Sequence, residues 1–219
     1  SYRSKQSGDQ LRQAQSKYYA MVTRMDENVG RLLRVLTELN LDRNTIVVFT
    51  SAQGFATGEN GMWGTGPLFW DTFIRCPLLV RLPQSANAER TPIKQLVSSV
   101  DLAPTLLEAA GLPVPPFMQG RSLLTLARNG VDPDRPNECF AESDVINGQP
   151  FPARVLIADA YKLVDYLQEP DATDQFYSLK RDPGEEQNLM TDPVYSPLVK
   201  VMRARLDHWR KRTSDPTMR

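Results

Sequence analysis

The chain has 219 residues, 41% hydrophobic and 24% charged, enough for one good core plus a small second unit. Its 26 Lys+Arg balance its 26 Asp+Glu, so the charge does not favour nucleic acid or an anionic membrane as a partner. A single histidine, His208, excludes any mechanism that needs two imidazoles from this chain alone, and no apolar run approaches the roughly 20 residues of a bilayer span.

Ser1 to Gln15 is polar and holds no signal-peptide core, which leaves the compartment open. From Tyr18 onward, Val22, Met25, Val29, Leu32, Leu33 and Leu36 fall on one stripe of an amphipathic helix. Glu27 and Arg31 are spaced to pair on its wet face, and Asn40 suits the left-handed residue that ends it. Thr45 to Ser51 is a β-branched apolar run that stops at Thr-Ser and opens into glycine, which predicts a buried strand emptying into a loop. Ligands sit beyond the carboxyl ends of such strands, so the residues after Phe49 carry the functional question. Gly54, Gly58, Gly61, Gly64 and Gly66 space out the loop, without a P-loop pattern. A helical turn over 69–73 and a strand over Pro77 to Leu82 follow, then a solvated loop over Ser85 to Thr91.

Gln95 to Val100 reads as a strand, and Asp101 caps a short helix. In that helix Leu102, Leu106, Leu107 and Ala110 face inward, Pro104 sits in the first turn and Gly111 stops it. Arg121 to Arg128 is a second short helix. Pro133 and Pro136 mark a boundary, giving units 1–135 and 136–219. Beyond it, Glu138 to Ser143, Ala153 to Ala158, Tyr161 to Leu167 and Gln175 to Leu179 read as an antiparallel sheet of about four strands. The last helix, Val194 to Lys211, puts Leu198, Met202, Leu206 and Trp209 on one side. Cys76 and Cys139 lack metal or redox spacing and read as buried thiols. The resulting class is α/β: part of a doubly wound, mostly parallel sheet flanked by helices, plus a small C-terminal antiparallel sheet with a packed helix.

A run of phrases resembles the C-terminal part of type I sulfatases, in the alkaline-phosphatase-like superfamily. They include Tyr18-Tyr19-Ala20-Met21-Val22, Asn44 to Ser51, Trp63-Gly64 with Gly66-Pro67, and Ile74-Arg75 with Pro77-Leu78. Val100 to Leu107, Gln119 to Leu124, Phe176 to Leu179 and Asp182 to Glu185 continue it in order. The resemblance implies the later half of a large α/β domain followed by a small antiparallel sheet. It also implies that the strand ending at Ser51 is followed in active members by Asp and His or Asn, which hold a Ca²⁺-type ion. Here Ala52 and Gln53 stand there. The family lysine that pairs with sulfate falls at Thr65, which can hydrogen-bond an anion but cannot neutralise it.

The family nucleophile, a formylglycine from a C/S-x-P-x-R motif, has no counterpart; Val131 to Arg135 keeps the tail of that pattern but opens on valine. In the family that motif lies in the N-terminal half, and the chain is expected to begin after it. These losses lead to the expectation of a sulfatase-like chain inactive on its own, with no cofactor. Three alternatives stay open at the strand end: a loop with no ligand, a residual ion site from Gln53, Glu59 and Asp71, or a site for some other small ligand. Arg75 is either a structural pair at a strand mouth or an anion clamp. His208 and the basic residues Arg203, Arg205, Arg210, Lys211 and Arg212 read as a solvated helix face. A binding or scaffold module is the second functional reading, its apolar surface covered by an N-terminal half or a second copy. A phosphodiesterase or phosphonate hydrolase of the same superfamily is the third.

Overall fold

A computed structural model describes residues 8–66, 69–83, 92–146, 149–167 and 173–218. The chain divides into two compact units, 1–90 and 91–219. That division lies well before the expected one at 135/136. The segment after residue 91 is tied forward: the Gln95 amide donates to the Asp132 and Arg135 carbonyls and accepts from the Asp132 N–H, and Leu96 N–H donates to Asn137.

In the first unit, α1 (Gly8–Glu38) ends at Asn40, whose φ of 55° is the left-handed stop expected of it. A short 3₁₀ turn, Asp42–Asn44, leads into β1 (Val47–Thr50). Then come the two-residue strands β2 (Ala56–Thr57) and β3 (Trp63–Gly64), the single turn α2 (Asp71–Ile74) and β4 (Leu78–Arg81). β1 pairs with β4 antiparallel, from Val47 opposite Arg81 to Thr50 opposite Leu78. Parallel pairing is not found among the described strands, although doubly wound sheets often carry an antiparallel edge strand of this kind.

The stripe predicted on α1 is only partly covered. Val29, Leu33 and Leu36 are half-buried, whereas Val22, Met25 and Leu32 are exposed. A helix of 31 residues runs about 46 Å, and a pair of strands roughly 5 Å apart is too narrow to cover it. β1 is half-buried for the same reason, not fully buried as expected. On the wet face Glu27 pairs with Arg24, one turn earlier, and not with Arg31. No helix of the described residues is long and apolar enough to cross a membrane.

The second unit opens without the strand expected over 95–100. Ser98 and Asp101 instead form a reciprocal cap on the 3₁₀ turn Ser99–Asp101, which consumes the backbone groups a strand would need. α3 (Leu102–Ala109) follows, and Gly111 (φ 71°) ends it as predicted. Its buried residues are Pro104 and Thr105; Leu106 and Ala110 face solvent. The reversal comes from Asp101 and Thr105, which together hold the next segment: Asp101 accepts from Arg121 N–H, and the Thr105 hydroxyl accepts from Leu123 N–H. Close contact there requires Gly120, since a Cβ at that position would lie 2.0 Å from the Val100 carbonyl oxygen.

After α4 (Leu124–Asn129), four strands form a meander in the order β5 (Glu138–Ile146), β6 (Gln149–Ala158), β7 (Tyr161–Tyr166), β8 (Gln175–Ser178), all antiparallel. α5 (Ser196–Arg212) lies across the sheet, with Val199, Met202, Leu206 and Trp209 packed on Leu156, Leu163 and Phe176. Met202, Leu206 and Trp209 face the core as the sequence predicted, while Val199 is buried there and Leu198 packs only partly against it.

Candidate functional site

The segment beyond β1 is shaped by one close approach. Gly54 N–H donates to the Phe73 carbonyl at 2.8 Å, and a Cβ on Gly54 would lie 2.0 Å from the Thr72 carbonyl oxygen. Only glycine lets the loop lie against α2 in this way. Ala56, Met62 and Phe73 then close a small core beneath the loop. Changing Gly54→Ala forces the two backbones apart, at a cost of roughly 1–3 kcal/mol. The amide at position 54 should then exchange with solvent faster by hydrogen-exchange mass spectrometry or NMR.

On that frame the predicted site residues separate. Ala52 and Gln53 are exposed, and Ser51 turns back to donate to the Gln53 carbonyl at 2.7 Å. Glu59 is committed locally: its carboxylate accepts from Thr57 N–H at 2.5 Å and from the Thr57 hydroxyl at 3.0 Å. Burial alone would raise the Glu59 pKa, but hydrogen bonds from the Glu59 and Thr57 amides and the Thr57 hydroxyl outweigh it and hold the group below the usual carboxylate range. Asp71 opens α2 and faces Arg75 at 3.9 Å, a long pair on a side chain that is 82% exposed. A contact this long and this exposed is a weak ion pair. Thr65 lies exposed just past β3.

Donor chemistry then decides whether a divalent ion fits. Alanine supplies no donor atom, Gln53 offers one neutral carbonyl, and the oxygens of Glu59 are taken by Thr57. Among the described residues, no group of three or more His, Cys, Asp or Glu could hold a metal ion. The set at 52, 53, 59 and 71 does not fit a hard cation, which needs several converging oxygens.

Aromatic residues are what the loop does bring together. Tyr18 of α1 stacks on Phe55 at 4.9 Å, and Phe55 meets the edge of Trp63 at 5.6 Å. Gln15 donates to the Thr57 carbonyl beside them. Sequence reading missed this cluster because Tyr18 lies 37 and 45 residues before Phe55 and Trp63, a separation that no local period links.

The basic residues near the C-terminus also resolve. Arg205 pairs with Glu138 at 2.6 Å, Arg210 with Asp215 at 3.1 Å, and Arg203 with Asp174. They are structural cations, whereas His208, Lys211 and Arg212 are exposed as expected. Arg135, the end of the nucleophile-like pattern, is buried against Asp101 at 2.9 Å and serves the fold.

Comparison with known proteins follows these lines. The model for the family "Sulfatase" matches residues 1–112, and the model "N-sulphoglucosamine sulphohydrolase, C-terminal" matches residues 58–212. An N-acetylglucosamine-6-O-sulfatase of Bacteroides thetaiotaomicron is 32% identical over 206 residues, covering 90% of this chain and 36% of that protein. The solved structure of a 2-O GAG sulfatase superposes with a TM-score of 0.85 at 26% identity, over 95% of this chain and 45% of the other. A phosphonate monoester hydrolase of Agrobacterium radiobacter reaches a TM-score of 0.83 at 22% identity, over 94% and 43%, and shows the shared fold alone. The chain therefore spans less than half the length of these relatives. With family models covering both of its units, the chain belongs to the sulfatase family and corresponds to its C-terminal portion.

Proposed function

We propose that this chain supplies the scaffold of a sulfatase cleft while carrying neither the metal ligands nor the sulfate-pairing cation that the cleft needs. Sulfatases are metal-dependent hydrolases. Hydrolysis of a sulfate ester develops charge on the transferring sulfuryl group, which a cation and a lysine stabilise electrostatically. The observation that carries the reading is the end of β1, where Ala52 and Gln53 stand and the nearest carboxylate in the loop, Glu59, is already bonded to Thr57. Thr65 supplies a hydroxyl but no charge. Loss of such groups removes several kcal/mol of transition-state stabilisation each, which abolishes turnover and does not merely slow it. By similarity to the N-acetylglucosamine and GAG sulfatases, the ester class this scaffold served is a sugar sulfate.

Two measurements on the purified chain test this. Release of 4-nitrophenol from its sulfate should equal a heat-treated blank with and without added calcium. Calorimetric titration with calcium should show no saturable binding tighter than about 1 mM. Sulfatase activity, or a stoichiometric calcium site lost in Gln53→Ala, overturns the proposal.

A second reading, a module that docks another chain, is favoured by α1, which buries no residue and exposes Met21, Met25 and Leu32 on one side. Exposed apolar side chains clustered on one helix face mark an interaction surface. Its occupant is an N-terminal half of the same fold or a second copy. A monodisperse monomer in light scattering, with no association on concentration, excludes the second copy.

A further inference from the structure

The free face of α1 carries a strict pattern. Met21, Met25, Asn28, Leu32, Val35 and Leu39 follow one another in steps of four, three, four, three and four residues, the seam spacing at which two helices lie along each other. All six are exposed, Met21 at 64%, Leu32 at 68% and Leu39 at 61%. The Leu39 N–H still bonds the Val35 carbonyl, so the helical spacing holds to the last of them. Towards the N-terminus Leu11, Ala14 and Tyr18 continue the same spacing, and there the seam is already filled. Tyr18 stacks on Phe55, and Leu11 lies against Gly58, where an added Cβ would come within 3.2 Å of its side chain. The molecule thus covers one end of the seam with its own loop and leaves about 27 Å of it open.

The spacing and the flanking charges select the occupant. In the reverse direction the steps are the same, so the seam is complementary to itself. In an antiparallel pair Met21 meets Leu39 of a second copy, Met25 meets Val35, and Asn28 meets Leu32, each twice, with no exposed seam residue left over. Lys17, Arg24, Arg31 and Glu38 recur every seven residues along one flank. Antiparallel pairing sets Arg24 beside Glu38 of the other copy at both ends, against one meeting of Arg31 with itself at the centre. Parallel pairing would set Arg24 and Arg31 beside Val29 and Leu36, which are half-buried in their own unit. A lipid surface suits the stripe less well, because Asn28 would carry an unpaired amide into the middle of the apolar face.

We propose that residues 21–39 form the interface of a symmetric, antiparallel homodimer. About two and a half heptads fall short of the roughly three or four that hold a coiled coil unaided, so the dimer is weak, with a dissociation constant of about 100 µM. The inference rests on the docking reading of α1 and is separate from the scaffold proposal, since no residue beyond β1 takes part.

Sedimentation velocity of the whole chain from about 5 to about 500 µM should show a reversible monomer–dimer equilibrium. Leu32→Glu, at an exposed position, should keep the chain monomeric throughout, with its far-UV spectrum unchanged. Asn28→Leu should tighten the dimer about tenfold by replacing the one polar layer. Isotope-filtered NMR on a mixture of differently labelled chains should show contacts from the Met21 methyl to Leu39 of the other copy, and none between the two copies of Met21. Dimers that Leu32→Glu leaves intact, a dimer weakened by Asn28→Leu, or Met21–Met21 contacts between copies overturn the proposal. So does a chain that stays monomeric at the highest concentration. The docking reading itself falls only if the α1 methyl signals of that monomer also ignore an added N-terminal half of a sulfatase and vesicles of phosphatidylglycerol.

Discussion

Replacing Asp215 by alanine lowers the stability of the second unit by roughly 3–5 kcal/mol, the largest effect expected of any single substitution in this chain. Arg154 on β6 is fully buried, and its guanidinium meets Asp215 through two bonds of 2.8 Å, Nε to Oδ2 and Nη2 to Oδ1. Arg210 adds a third at 3.1 Å, and Asp215 also accepts from the Thr217 amide and hydroxyl. Removing the carboxylate strands a buried guanidinium with only Asp144 and the more distant Glu142 to answer it, both half-exposed. Thermal melting should fall by on the order of 10 °C. The pH profile supplies a second check. Burial alone would raise the Asp215 pKa, but the bonds from Arg154, Thr217 and Arg210 outweigh it and hold the group far below the usual carboxylate range. Its contribution is therefore complete above the unfolded value of about 4 and is lost as the pH falls below that. Between pH 7 and 5 this group should leave stability flat, and Asp215→Asn should remove the part of the acid loss that it causes. A melting temperature unchanged in Asp215→Ala would contradict the whole assignment.

Lys162→Met should cost nearly as much, for a different reason. Lys162 lies fully buried on β7, 2.6 Å from the Glu185 carboxylate, itself 2% exposed. Methionine fills the space but leaves a carboxylate in a low-dielectric interior, at a cost of roughly 3–5 kcal/mol unless it takes up a proton. Adding Glu185→Leu should restore most of the loss, because an apolar pair of similar volume avoids both desolvations. Glu185 has φ of 55°, so leucine there inherits a backbone conformation already adopted by a residue with a Cβ. Chemical denaturation of the four forms gives the coupling energy directly. A double variant no more stable than Lys162→Met would mean that the lysine acts through contacts other than Glu185.

These two ion pairs mark where the sequence stops being readable. The four C-terminal strands and the stripe Met202, Leu206, Trp209 were legible because alternation and helical spacing are local periods that burial on one face imposes. Arg154 and Lys162 sit inside those strands looking like ordinary polar positions. Their partners are 61 and 23 residues further on, beyond the reach of any pattern. Gln95 to Val100 shows the opposite failure: its apolar Leu96, Val97 and Val100 resembled a strand, but the Gln95 amide and the Ser98–Asp101 cap had already engaged the polar groups. The strand-end position was legible from the apolar run and the glycines after it. What stood there was not, because a missing ligand leaves no local mark; Ala52 and Gln53 acquire meaning only against a family in which other residues occupy those places.

The partly covered first helix has a chemical consequence. α1 is held near its start by Gln15 and Tyr18 and toward its end by Val29, Leu33 and Leu36, while 19–28 runs through solvent. Two thioethers ride that span one turn apart, Met21 at 64% and Met25 at 46% exposure, whereas Met62 and Met202 are buried. Mild peroxide therefore converts this exposed stretch first, turning two apolar side chains into polar sulfoxides before the buried Met62 and Met202 are touched. Oxidative damage would reach this face of the molecule as a loss of stickiness, with the melting behaviour of both units preserved.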